Sequence, residues 1–421
     1  KTITALEAVR RSTSCTRCTI ILVPSVLLLE QWSAALEKSF GHEFPILLCG
    51  GGNSRWREQG VLSAWTDSSG NPPALVAVLA TASSDEFLSQ LQQGKHLFLV
   101  ADEVHRTGAK SASRIFEIDA GWRLGLSATP ERAGDPIGTQ KILDYFGPVL
   151  NPEYSIADAV NDGYLTPYYY NPKVVELTEE EQERWNDFSR RIVSAVGNDE
   201  SRLRSDPHVK RLLIQRSRVA KQAEAKISAA VDIVTSLYEP GQRWLLYCDS
   251  ELQMNAIHRL LQDNGIMANT YYSSMEGNAS RTLEHFEAIG GVIVSIRCLD
   301  EGVDIPVASH ALIIASSRNP REFIQRRGRV LRRHPNKDLA YIHDLLVAPS
   351  SNATHFGNRV GQGPLLGDLV RAMNFADSAI NAGAKMSLEI IAQRYGLSEE
   401  QLHTSGFEMD NDGDANTSKQ R

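Results

Sequence analysis

At 421 residues, with 42% hydrophobic and 23% charged side chains, the chain has the composition of a globular protein rather than a disordered or fibrous one, and it is long enough to predict two domains of middling size. A formal net charge of -7 excludes a uniformly basic body that coats nucleic acid, although a phosphate backbone can still be gripped along one local groove. No uncharged apolar run approaches the roughly 18 residues that cross a bilayer, and five cysteines, at 15, 18, 49, 248 and 298, are too few and too odd in number for a secreted disulfide framework, so a reducing cytosol is the expected compartment.

In chain order, residues 1–153 alternate short apolar runs with helical stretches, the pattern of a parallel sheet wrapped by helices. Strands are predicted at Thr19–Val23, Ile46–Cys49, Val76–Ala80, His96–Ala101 and Arg123–Ser127, with a helix over Val26–Lys38. Residues 154–238 change texture, from a Tyr-rich alternation around Tyr168 and Tyr170 to long charged helices, and are predicted to be a connector. A second α/β series occupies 239–350, with strands at Trp244–Cys248, Val292–Ile296, Ala311–Ala315 and Leu339–Ile342. Residues 351–421 are predicted to add two or three short helices between Pro364 and His403, followed by a mobile polar tail from Glu408.

The strongest local signal is Asp102-Glu103-Val104-His105, directly after the apolar run Leu97–Ala101. In open α/β sheets, ligands gather at the carboxyl ends of strands, which suits Asp102 to holding Mg²⁺ and Glu103 to orienting or deprotonating a water. Lys1-Thr2, followed by a helix-like stretch, read as the last two residues of a G-x-x-x-x-G-K-[ST] phosphate loop. The chain is therefore expected to open inside that loop, with Lys1 for the phosphates of ATP and Thr2 for the metal. Ser127-Ala128-Thr129 would place two hydroxyls near His105. Read singly, these segments also have plainer accounts: a solvated strand end, an arbitrary chain start, a turn before Pro130.

Farther along, Asn319-Pro320 predicts a helix start, and on that helix Gln325, Gly328/Arg329 and Arg332 share a face. Guanidiniums on such a face would stabilise charge developing in phosphoryl transfer, while a basic solvated helix is the alternative; Arg326, Arg327 and Arg333 are read as such a patch. The acidic, Gly-containing turn Arg297–Pro306 suits a ribose, a nucleic-acid backbone or opposing arginines. Cys15-Thr16-Arg17-Cys18 has no partner pair for zinc. Gly50-Gly51-Gly52 lacks the Lys-Ser/Thr of a phosphate loop, and Tyr168-Tyr169-Tyr170 reads as strand packing rather than a base-stacking platform.

Together these segments resemble superfamily two helicases of the DEAD/DEAH-box type. Lys1-Thr2, Val23-Pro24 through Gln31-Trp32, Asp102 to His105, Ser127 to Thr129, Asp300 to Pro306 and Gln325 to Arg332 occur in the family's motif order. His105–Ala109 and Gly125–Pro130 are similar to the branch with the repair helicases XPB and UvrB and the type III restriction motor subunits. The resemblance covers about residues 1–350, and it departs from the family where the glycines before Lys1 are missing and where the box reads Asp-Glu-Val-His. It implies two RecA-like parallel-sheet lobes with a helical connector and a short helical C-terminal region, using ATP and Mg²⁺ and moving on or remodelling DNA. By the same analogy Glu103, Asp102, Arg329 and Arg332 would be catalytic, while Lys1, Thr2, Gln325, Gly302 and Asp304 would contact nucleotide. His105, Ser127 and Thr129 would couple the site to movement, and Pro24, Ser25 and Thr81 would face the nucleic-acid backbone. Partner subunits of a restriction, phage-defence or repair complex are expected. An RNA helicase and a non-hydrolysing scaffold are the alternatives to a DNA motor.

Overall fold

The computed structural model describes residues 1–14, 17–68, 74–132, 135–152, 154–197, 199, 201–272, 279–296, 305–315, 320–348, 359–398 and 402. The chain divides into two units, Lys1–Glu153 and Tyr154–Arg421. Each is built on one parallel sheet.

In the first unit the described strands are β1 (Cys18–Val23), β2 (Ile46–Cys49), β3 (Ala74–Val78), β4 (Gly94–Asp102) and β5 (Ala120–Leu126), ordered β2-β3-β1-β4-β5. Every pairing is parallel. Strands that bury both faces need no polar alternation, which explains the unbroken apolar runs. Along β1, Ile20 and Leu22 enter one core with Leu97, Leu99 and Ala101, while Ile21 and Val23 enter the opposite core with Phe98 and Val100. The helix Val26–Phe40 follows β1. Ser25 caps it by accepting the Leu28 N–H, and Gly41, at φ 94°, ends it. It buries Leu29, Trp32 and Leu36, an i, i+3, i+7 stripe.

The second unit carries β6 (Tyr168–Glu176), β7 (Arg243–Cys248), β8 (Ala268–Tyr271), β9 (Gly291–Ile296), β10 (His310–Ile313) and β11 (Ala340–Ala348), ordered β6-β11-β10-β7-β9-β8 and again wholly parallel. The segment expected as a connector thus contributes an edge strand to this sheet. Its exposed backbone edge is covered: the Ile380 N–H bonds the Tyr168 carbonyl, and the Asn381 amide pairs with both backbone groups of Tyr170. The helix Arg359–Ala376 packs beside β11 and is longer than the short helices expected from Pro364 onward. β8 escapes sequence reading because its four residues, Ala-Asn-Thr-Tyr, bury only the two ends. β3 stops at Val78, where the chain turns into the short helix Leu79–Ala82 instead of continuing to Ala80. Among the described residues no helix is long and apolar enough to cross a membrane.

Candidate active site

At the carboxyl end of β4 the strand's last residue, Asp102, is 8% exposed. Its Oδ2 accepts the indole N–H of Trp32 at 2.9 Å and its Oδ1 accepts the backbone N–H of Glu103 at 3.0 Å. Glu103 itself stands at φ 48°, ψ 51°, and among the described residues it alone has a positive φ without being glycine. Such a conformation costs on the order of 1 kcal/mol or more and persists where surrounding contacts enforce it. Glu103 Oε1 receives the Lys1 ammonium at 3.0 Å. Glu103 Oε2 is buried without a hydrogen bond, with His105 Nδ1 3.4 Å away. A carboxylate oxygen in that condition can accept a proton or orient a water, which is the competence required of a general base.

Whether these groups suit a magnesium ion follows from their number and kind. Among the described residues no cluster of three or more His, Cys, Asp or Glu side chains could enclose a metal unaided. Mg²⁺ bound with a nucleotide needs no such cage, since one or two protein oxygens suffice beside phosphates and waters. Asp102, whose two oxygens each keep a lone pair, and the hydroxyl of Thr2, at the start of the helix Thr2–Ser14, are hard oxygen donors of that kind.

Behind the carboxylates, His105 is buried and its Nδ1 lies 3.1 Å from Ser127 Oγ. Ser127 Oγ donates its one hydrogen to the Thr129 carbonyl at 2.7 Å, so it accepts from His105, which fixes an Nδ1–H imidazole. The Thr129 N–H returns to Ser127 Oγ at 3.1 Å. Arg132, which sequence reading missed, clamps this loop: its guanidinium donates to the His105 carbonyl and to Asp135 Oδ2, the latter at 2.8 Å. The Gly138 N–H and Arg132 hold the Asp135 carboxyl below its usual range. No local pattern marks Arg132, because its partner carbonyl is 27 residues away.

A second group gathers at the carboxyl ends of β1, β2 and β3. Pro24 and Ser25 follow β1, Gly50-Gly51-Gly52 follows β2, and Thr81 follows β3 in the Leu79–Ala82 turn. The three glycines have φ of 98°, 62° and 89°, and a Cβ on Gly50 would strike Thr81 Oγ1 while one on Gly51 would strike Val26. Gly50 and Gly51 of this turn are therefore packed closely against Thr81 and Val26.

The second unit corrects the reading of the arginine helix. It spans Pro320–Val330, so Arg332 lies beyond its end, exposed and in an isolated bridge with Leu165. The helix stops where the ammonium of buried Lys337 takes the Val330 carbonyl, along with those of Pro306 and Ala308. Arg326 and Arg327 are not a solvated patch. Arg326 donates to the Ala315 carbonyl over the Tyr247 ring, and Arg327 to the Asn374 carbonyl over the Phe375 ring. Both are buried, and the helical period gave the faces but not which of them meets the core. Arg329 is half-buried. Asn319, Gly302, Asp304 and the side chain of Gln325 lie outside the described residues.

One helix of the segment expected as a connector carries an unforeseen charge. Pro207–Lys221 holds five Lys and Arg and no carboxylate, in a chain that is acidic overall. Arg216 is buried against Trp185, but His208, Arg211, Gln215 and Arg218 form an exposed stripe at i, i+3, i+7, i+10.

Residues 1–132 match the family described as type III restriction enzyme, res subunit, and residues 225–334 match the helicase conserved C-terminal domain. The chain is 24% identical to the DNA 3'-5' translocase XPB2 of Sulfurisphaera tokodaii over 335 residues, 76% of this chain and 70% of that one. Other curated relatives are longer, the chain spanning 47% and 42% of two of them. In fold it is similar to the Pyrococcus furiosus Hef helicase domain, with a TM-score of 0.53 and 15% identity over 86% of this chain and 91% of that one. It is likewise similar to the ATP-dependent Type ISP restriction-modification enzyme LlaBIII bound to DNA, with a TM-score of 0.56 and 16% identity over 87% of this chain and 27% of that one.

Proposed function

Because the chain belongs to superfamily two of the helicases, with two parallel-sheet α/β lobes, we propose that it is an ATP-dependent DNA motor, a helicase or translocase whose hydrolysis of ATP drives movement along DNA. The observation that carries this reading is the cluster at the end of β4, where Glu103 leaves one buried oxygen unpaired between Lys1 and His105.

In this reading Lys1 exchanges its ion pair with Glu103 for nucleotide phosphates, and Asp102 with Thr2 holds Mg²⁺, which neutralises phosphate charge when bound. Release from Lys1 leaves Glu103 free to orient a water and take its proton. His105, through Ser127 and Thr129, links the occupancy of that carboxylate to the loop that Arg132 clamps. Arg329 and Arg332 are assigned the stabilisation of charge that develops in phosphoryl transfer, with Gln325, Gly302 and Asp304 as further nucleotide contacts. Pro24, Ser25 and Thr81, joined by the backbone of Gly51 and Gly52, face a nucleic-acid backbone, and the Arg211 and Arg218 stripe supplies further phosphate contacts. DNA is favoured over RNA by the translocase and restriction-enzyme relatives, and a restriction, defence or repair complex is the setting we propose.

The test is ATP hydrolysis by the protein with single-stranded DNA, duplex DNA, RNA and no polymer. Stimulation by DNA is expected. Stimulation by RNA alone would replace the DNA assignment, and no turnover with any polymer would make the protein a scaffold.

A further inference from the structure

We infer that Trp32 is a positioning residue that couples the nucleic-acid face of the first lobe to the metal-binding carboxylate, Asp102. The bond between them is buried: Trp32 is 2% exposed, and its Nε1 lies 2.9 Å from Asp102 Oδ2 across 70 positions of sequence. An indole N–H can only donate, and a donor aimed at a carboxylate makes a charge-assisted bond that fixes the acceptor's rotamer. The Glu103 N–H holds the other oxygen, so both are oriented and the remaining lone pairs are directed by these two donors.

The indole is itself immobile. It packs in the core with Ile21, Val23, Leu29, Leu36 and Val100, so it moves only with its helix. That helix starts at Ser25, which caps it, and its first turn carries Val26 against Gly51. From Ser25 to Trp32 is two turns, a rise of about 10 Å. A nucleic acid seated on Pro24, Ser25 and the glycine turn would therefore act on the same rigid body that orients Asp102, with no intermediate link.

A tryptophan that merely filled the core would be replaceable by phenylalanine without effect at the metal, and this separates the two roles. The inference rests on the ATPase reading above. In Trp32→Phe, the Mg²⁺ concentration that half-saturates nucleotide binding, read by fluorescence of a bound nucleotide analogue, should rise roughly tenfold or more, the range seen when a residue orienting a metal ligand is lost. The factor by which DNA stimulates hydrolysis should fall about fivefold or more. Leu47→Ala, a truncation in the opposite core of the first lobe and outside that helix, should lower stability and leave the Mg²⁺ dependence unchanged. An unchanged Mg²⁺ dependence and stimulation factor in folded Trp32→Phe would overturn the role of Trp32, whereas absence of hydrolysis in the unsubstituted protein would overturn the ATPase reading instead. Should the variant not fold, the unsubstituted protein decides: the indole N–H resonance most broadened by Mn²⁺ and nucleotide should shift when DNA alone is added, and an unmoved resonance would overturn the coupling.

Discussion

Two carboxylate–cation pairs in this chain are built to opposite ends. At the end of β4, Glu103 meets Lys1 at 3.0 Å, keeps one buried oxygen without a hydrogen bond, and sits in a left-handed backbone conformation. Within β11, Asp344 meets Arg371 at 2.6 Å with both residues at most 1% exposed, and the Tyr170 hydroxyl donates to the same carboxylate at 2.8 Å. In the second pair both oxygens of the Asp344 carboxylate are bonded inside the fold, although Arg371 Nε finds no partner, and the pair joins the helix Arg359–Ala376 to the sheet. The first leaves capacity over and tolerates strain to do so. Several buried polar atoms among the described residues lack a hydrogen bond, but Glu103 Oε2 is the one carboxylate oxygen among them and stands on a strained backbone, a combination that a ligand can complete.

Substitutions at the two pairs should therefore fail differently. Glu103→Gln removes the base while keeping the side chain's shape, and DNA-stimulated hydrolysis should fall by about 10² to 10⁴, measured as phosphate release at saturating DNA. Arg371→Ala strands the Asp344 charge in the core and should cost about 3–5 kcal/mol of stability in urea unfolding of the second lobe. A variant of Arg371 as stable as the unsubstituted protein would break the contrast. The proposed role of the basic stripe is in DNA binding, apart from the chemistry at the end of β4. Arg211→Ala with Arg218→Ala should weaken DNA binding evenly across sequences and lower the slope of log affinity against log salt by about two, read by fluorescence anisotropy at several salt concentrations.

A further effect is a pH slope. Burial pushes the His310 imidazole down to about 3, with His343 beside it adding to the shift, and burial pushes His343 down to about 4. Both stay neutral in the folded state, stacked on Trp244, while the unfolded chain takes up protons near pH 6.5. The stability from these rings is complete above pH 6.5 and is lost as pH falls toward 4 and then 3. The loss should be on the order of 1 kcal/mol per pH unit for each ring inside that window, read as the urea midpoint between pH 7 and pH 5. His310→Gln with His343→Gln should flatten the slope, and an undiminished slope in that variant would assign it elsewhere.

Much of this arrangement was legible in the sequence because it is local. The apolar run before Asp102, the helix that begins at Val26 and the order of the β4 and β5 end motifs all follow from neighbouring residues, and the parallel sheets follow from the unbroken apolar strands. What was not legible depends on contacts distant in sequence. Trp32 and Asp102 are 70 residues apart, and Arg132 finds the His105 carbonyl only once β5 lies beside β4. Arg326 and Arg327 looked like solvated charge because neither the carbonyls of Ala315 and Asn374 nor the rings of Tyr247 and Phe375 can be read from the helix itself. The end of that helix before Arg332 follows from Lys337, seven residues past Val330. The strand packing read at Tyr168–Tyr170 was legible, but its place at the edge of the second sheet was not, since that depends on β11 on one side and Asn381 on the other.

The unfolding midpoint of Glu103→Gln is the most direct test that the end of β4 holds spare bonding capacity for a ligand. Because the amide keeps the side chain's shape and gives up only a partly exposed ion pair with Lys1, the midpoint should stay close to that of the unsubstituted protein while turnover collapses. A midpoint lowered as far as that of Arg371→Ala would mean that Glu103 is structural and would contradict the account.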